Sequence, residues 1–317
     1  RFVENPLRFS TRIRASNRRT FLVGALVTAS VAALAGAVVV SGIAMSRTPA
    51  LAQFVSARST PSTECTDQSV DTAGGVVCLY GAVNAEPTVM LIGDSHAAQW
   101  LDAMDSAAGE AGVRLAVRWS PGCPATGVNV ISFEGVVRDD CGEFQANTRR
   151  AAAELHPDAI LIGQASTYQD RILDDAGNVI VGQSQFSVWE EEYTGVLEEL
   201  LKVTPTVGVI EDIPRLSFDP IECNTRVIPV GDCSPTVSDA FQLNAPMEAA
   251  NRAAEARAGV EIVFSANDAI CGDGACQTLE ADGTPIYRDF NHVGIPWAAS
   301  QVPTFVRLFE SLASTGV

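Results

Sequence analysis

From Phe21 to Met45 the chain runs without a single charge, FLVGALVTASVAALAGAVVVSGIAM. At ~1.5 Å rise per residue a helix of that length crosses a ~30 Å hydrocarbon layer, so the run is expected to be a transmembrane helix. Everything else must then lie on one side or the other. Arg12, Arg14, Arg18 and Arg19 come just before it and only Arg47 just after, which puts the N-terminus in the cytoplasm and the larger part outside. Ala50-Leu51-Ala52 fits a small-x-small cleavage site. The apolar core of a signal peptide is usually only about 7–15 residues, however, so the length favours a retained anchor.

Charge separates the same two parts. Residues 1–47 hold seven Arg and one acid, whereas residues 48–317 hold 14 basic and 37 acidic side chains. A domain that acidic repels phosphate backbones, which argues against nucleic acid as a partner, while the basic N-terminal stretch suits a membrane surface. Cys65, Cys78, Cys123, Cys141, Cys223, Cys233, Cys271 and Cys276 all follow the apolar run. An even count on that side reads as disulfides formed in an oxidising space. Zinc is poorly supported, because no Cys-x-x-Cys pair exists and the chain has three His. Neighbours in sequence give the simplest pairing: 65 with 78, 123 with 141, 223 with 233, 271 with 276. Spacing does not settle that connectivity.

Residues 46–63 are rich in Ser, Thr, Ala and Pro and read as a linker. Beyond them, apolar runs at 88–92, 113–119, 159–162, 206–211 and 260–264 alternate with helical spacing at 96–111, 143–155, 187–202, 236–257 and 298–313. Strand and helix in this rhythm make parallel βαβ units. The expected fold is a three-layer α/β/α sandwich with a parallel five-stranded sheet and its site at the carboxyl edge.

The first run ends in Gly93-Asp94-Ser95-His96. A serine there stands where open α/β sheets hold ligands, although Gly-Asp-Ser is also ordinary turn and helix-capping chemistry. Acyl transfer through serine needs a base and an acceptor to orient it. His96 is expected to point away from Ser95 along a helix start, and His156 to be a solvated surface residue. His292 follows Asp289 by three residues, which puts both side chains on one face of a turn and lets the carboxylate hold the ring for Ser95.

A strand-end Gly-Asp-Ser early in the domain and an Asp-x-x-His near its end together resemble the SGNH (GDSL-like) hydrolase superfamily. Gly-Asp-Ser-His, Cys271, Cys276 and the Tyr287-Arg288-Asp289 run resemble more narrowly the SGNH domain fused to the C-terminus of acyltransferase-3 membrane proteins. Arg1-Phe2-Val3-Glu4-Asn5-Pro6-Leu7-Arg8 is similar to the end of that membrane domain, and the chain starts with Arg rather than Met. It is thus expected to be the tail of a longer polytopic protein, with residues 1–20 the cytoplasmic end of the membrane domain, 21–45 the helix, 46–63 the linker and 64–317 the SGNH-like domain. An α/β-hydrolase elbow fits less well, since Gly93-x-Ser95-x-Ala97 lacks the second glycine.

The resemblance implies Ser95 as nucleophile, His292 as base, Asp289 as its orienter and Asp94 as a structural residue. It implies an oxyanion site from the amides of Ser95 and Gly122. Where the family has Gly-x-Asn, this chain has Gly163-Gln164-Ala165, so Gln164 is the candidate replacement. The acyl donor would arrive through a membrane acyltransferase domain and the acceptor would be a hydroxyl of an envelope glycan or glycolipid, with no metal or cofactor required. A degenerate domain that only presents the acceptor, or an extracytoplasmic esterase, are the alternatives.

Overall fold

The computed structural model describes residues 16–46, 49–61, 65, 68–226, 233–272 and 274–315. The segment expected to end a membrane domain lies mostly outside these residues, as does Arg47. Contacts divide the chain into two units, Arg1–Val55 and Ser56–Val317.

The first unit is dominated by helix α1 (Asn17–Ser46), long and apolar enough to cross a membrane. Val38, Val39 and Val40, which point about 100° apart around it, are all exposed. A helix that is apolar all round is covered by lipid or by other helices. The stretch expected as a linker contains a nine-residue helix, α2 (Pro49–Ala57). Proline suits a first helical turn and Ala, Leu and Gln are good helix formers, so its composition masked a helix.

In the second unit the strands are β1 (Ser69–Thr72), β2 (Gly75–Gly81), β3 (Thr88–Gly93), β4 (Arg114–Trp119), β5 (Asn129–Val130), β6 (Ala159–Gly163), β7 (Ile172–Leu173), β8 (Val207–Ile210) and β9 (Glu261–Phe264). The helices are α3 (Ser95–Ala98), α4 (Leu101–Ala111), α5 (Asp139–Leu155), α6 (Gln183–Leu200), α7 (Pro220–Thr225), α8 (Val237–Gln242), α9 (Ala245–Ala258), α10 (Asn267–Ile270), α11 (Ile295–Ala299) and α12 (Val302–Thr315). One sheet runs in the order β1-β2-β4-β3-β6-β8-β9. Its five strands from β4 to β9 are parallel, as expected, and an antiparallel pair, β1 and β2, extends the β4 edge. A second, two-stranded ribbon pairs β5 with β7.

Both sheet faces are buried, which explains strands without polar residues. On one face Leu91, Leu115, Leu161, Ile210 and Phe264 pack with Met104 of α4, Trp297 of α11 and Phe305 and Phe309 of α12. On the other, Met90, Ile92, Ile160, Ile162 and Val209 pack with Ala151 of α5, Trp189 and Leu197 of α6 and Met247 of α9. Each such side chain removed from water contributes ~1.5–3 kcal/mol. Gly112 and Gly259, at φ +68° and +73°, end α4 and α9 in the left-handed conformation and return the chain to β4 and β9.

The disulfides pair neighbours in sequence: Cys65–Cys78, Cys123–Cys141, Cys223–Cys233 and Cys271–Cys276.

Candidate active site

The carboxyl ends of β3, β4, β6 and β8 open toward one edge of the sheet, and the chain leaving β3 carries Asp94 and Ser95. Asp94 caps α3, its Oδ1 accepting the His96 amide at 2.8 Å. Its Oδ2 accepts the Ala165 amide at 3.0 Å and the Tyr168 hydroxyl at 2.7 Å. A fully buried carboxylate with three donors fixes the turn to the loop after β6. The expectation of Asp94 as a structural residue matches this geometry.

Ser95 Oγ lies 2.9 Å from His292 Nε2. His292 Nδ1 lies 3.0 Å from both carboxylate oxygens of Asp289. Asp289 Oδ1 also accepts the amides of Asn291 and His292, at 3.0 and 2.9 Å, closing the turn that sets the ring angle. Residues 197 apart in sequence thus meet at hydrogen-bonding distance.

Burial alone would push the Asp289 carboxyl up. Its hydrogen bond and charge interaction with His292, the Asn291 amide and the Arg288 guanidinium outweigh burial and hold it well below the usual carboxylate range. Burial lowers the pKa of His292, and the neighbouring His96 lowers it further, against the pull of Asp289. A buried, neutral imidazole held by a carboxylate is poised to accept a proton from a hydroxyl.

Ser95, His292 and Gly122 line one pocket of about 250 Å³, with Phe133, Tyr168, Arg138 and Arg171 among its walls. The segments that follow β5 and precede β7 supply this wall. Arg171 donates to the Ile131 carbonyl and stacks on Phe133 at 4.0 Å and Tyr168 at 4.9 Å. The Gly122 loop is held from two sides: Arg138 Nη1 donates to the Pro121 carbonyl at 2.7 Å, and Cys123 is tied to Cys141 on α5.

Gln164 is elsewhere. Its Oε1 accepts the Ala125 amide at 3.0 Å, its Nε2 faces Asn251 Oδ1 at 3.4 Å, and it does not line the Ser95 pocket. The side chain after β6 is instead engaged by the loop at Ala125, whose amide needs an acceptor, and by Asn251 of α9. Its expected place as an oxyanion donor is therefore not supported by this arrangement.

His156 is exposed, as expected, closing α5 at φ +47°. His96 differs from expectation. Its ring is buried and 4.5 Å from that of His292, with Nδ1 2.5 Å from Asp212 Oδ1 and Nε2 3.0 Å from the Asn291 side-chain amide. A helix of only four residues, α3, breaks before Leu101, so the usual outward course of a first-turn side chain does not apply. Neither Asp212 nor Asn291 announces itself in the sequence: Asp212 follows an apolar strand as many turn residues do, and Asn291 hides inside the Asp-x-x-His run.

A search of curated proteins gives no match. Among solved structures, the chain resembles one titled as the Salmonella ser. Paratyphi A lipopolysaccharide acetyltransferase periplasmic domain. That likeness has a TM-score of 0.51 at 14% identity and covers 73% of this chain and 84% of that one. At that identity it shows a shared fold. A family model described as the SGNH domain fused to AT3 domains matches residues 64–306, the whole span from the first disulfide through the Asp289–His292 turn, and so the chain belongs to the family of SGNH domains found fused to AT3 domains.

Proposed function

We propose that this chain is an O-acyltransferase that moves an acyl group, an acetyl in this reading, through Ser95 onto a hydroxyl of an envelope glycan or glycolipid. The observation that carries it is the hydrogen-bonded chain Ser95–His292–Asp289, set in a pocket wide enough for a sugar. In the first half-reaction the Ser95 oxygen attacks the acyl carbonyl while His292 Nε2 takes its proton. The proton passes to the departing donor group, leaving an acyl-serine ester. An acceptor hydroxyl then attacks that ester, His292 takes its proton, and the same proton returns to Ser95 as the new ester leaves. Asp289 keeps the Nδ1–H tautomer throughout. The amides of Ser95 and Gly122 are the oxyanion donors in this reading. With Gln164 turned away, no side-chain amide joins them, and losing one donor costs on the order of 10²–10³ in rate.

The family match supports acyl transfer, and the structural neighbour's title names an acetyltransferase. The apolar helix and the disulfides fit a membrane protein with an extracytoplasmic domain. A membrane acyltransferase domain would supply the donor from the cytoplasmic side.

One experiment tests both nucleophile and orientation. A charged, membrane-impermeant fluorophosphonate applied to intact cells should label the full chain at Ser95 and leave Ser95→Ala unlabelled. Labelling only after permeabilisation would overturn the orientation, and absence of labelling in both states would overturn the covalent mechanism. In the purified full chain, Ser95→Ala, His292→Ala and Asp289→Ala should each lower acyl transfer to a surrogate acceptor by roughly 10³-fold or more. The double variant Ser95→Ala/His292→Ala should be little worse, as for members of one proton-transfer unit.

A further inference from the structure

The site contains a second imidazole–carboxylate pair that the reaction above leaves idle. His96 and Asp212 are both buried and meet at 2.5 Å. Asp212 is fixed in turn by the amides of Ser166 at 2.6 Å and Ile213 at 2.8 Å, both of which donate to its carboxylate oxygens. Such a pair is expensive to bury, and an apolar residue after the nucleophile would pack at less cost. Its other face touches the chemistry: the His96 ring stands 4.5 Å from that of His292, and His96 lines the Ser95 pocket.

We propose that His96 is a positioning residue for His292: the buried His96–Asp212 pair presents a fixed imidazolium to the ring of the base and thereby keeps that ring neutral and in register with Ser95. This rests on His292 being the base, as proposed above. The groups facing His96 favour its charge. Asp212 comes from the end of β8, Asp94 from the end of β3, and Asp289 from the turn before His292; together they raise the pKa of His96 against the effect of burial. On the base itself the signs are reversed: His96 and Arg288 both lower the pKa of His292. Glu248 of α9 and the Tyr287 phenol sense Asp212 from two further elements, and both are themselves held toward the neutral form by burial and by that charge. Asn291 Nδ2 faces His96 Nε2 at 3.0 Å, which suits a neutral ring; the imidazolium has the carboxamide turned over, so that Asn291 Oδ1 accepts from Nε2–H.

Two imidazoles at this distance cannot both be charged without repulsion. The one with the carboxylate partner wholly out of water keeps the proton, and the one beside the serine gives it up. The arrangement divides labour between two histidines: His96 holds charge, His292 moves protons.

The test is the pH dependence of kcat/KM for 4-nitrophenyl acetate, measured on the full chain in detergent. Activity rises as His292 loses its proton. In His96→Gln that rise should move upward by roughly one to two pH units, the size of a charge repulsion at this separation in a partly solvated site, with KM changed by less than about twofold. A folded His96→Gln whose profile superimposes on the unaltered chain overturns the proposal, because a merely structural residue would lower the plateau without moving the rise. If His96→Gln fails to fold, ring ¹³C and ¹⁵N shifts of the three histidines in the unaltered chain decide. His96 should read as imidazolium at a pH where His292 is neutral, and the reverse order overturns the inference. Ser95→Ala separates the two levels. Should it retain ester cleavage, the covalent reading fails, whereas the histidine shifts still report on His96.

Discussion

Gly93 shows how little freedom the nucleophile turn has. Its φ is +150°, and a β-carbon there would stand 1.7 Å from the Gly163 carbonyl oxygen. Gly163 in turn backs onto Ala97, where an added β-carbon would fall 2.9 Å from the Ala97 Cα. Two glycines on adjacent strands thus let α3 settle directly over the sheet, and this close approach aims Ser95 at His292. Gly93→Ala should cost more than about 3 kcal/mol, since neither the backbone angle nor the space accepts it, and the urea midpoint of the purified chain measures that loss. A midpoint near that of the unaltered chain would show that the turn relaxes. At this scale Ser95, Asp289 and His292 were legible because chemistry and spacing marked them together. His96 was misplaced for a physical reason: its partner Asp212 lies 116 positions away and no local pattern links them. Gln164 was misplaced because a side chain's direction after a strand depends on which loop needs its acceptor, here Ala125.

Among the elements, the five parallel strands were legible from uninterrupted apolar runs, because burial on both faces removes polar residues. The pair β1 and β2 was not. Its burial alternates or stays partial, and its turn at Gly74 and Gly75 differs little in composition from a loop. Helix α9 carries a cost that its sequence does not display. Burial, with Asp212 and Glu211 nearby, raises the pKa of Glu248 from 4.5 to about 7, against the pull of Arg252. The sign follows from linkage: below about 4.5 the group is neutral folded and unfolded alike, and as pH rises the unfolded chain ionises first, so stability falls until about 7 and stays lowered above it. Glu248→Gln should therefore raise stability at pH 8 by about 1–3 kcal/mol and leave it nearly unchanged at pH 4. Thermal unfolding at the two pH values checks this, and an equal gain at both would assign the effect to packing rather than to charge.

For the molecule as a whole, the long apolar helix, the paired cysteines and the layered fold were all legible, since each follows from composition over tens of residues. The acceptor was not, because the pocket beside Ser95 is assembled from loops that follow distant strands. Strand β3 is flanked by β4 and β6 and buried on both faces, whereas the stretch that carries His292 is held by isolated bridges at Leu279–Pro285 and Tyr287–Val293. Amide hydrogens of β3 should exchange with deuterium only through global unfolding, while those around the bridges exchange earlier through local opening. Mass spectrometry of exchanged peptides resolves the two, and equal protection would refute it. Such a gradient means that heat or denaturant first detaches His292 and leaves Ser95 in place, so the acyl transfer proposed for the pair should vanish before the fold does, and return fully on cooling from that intermediate range.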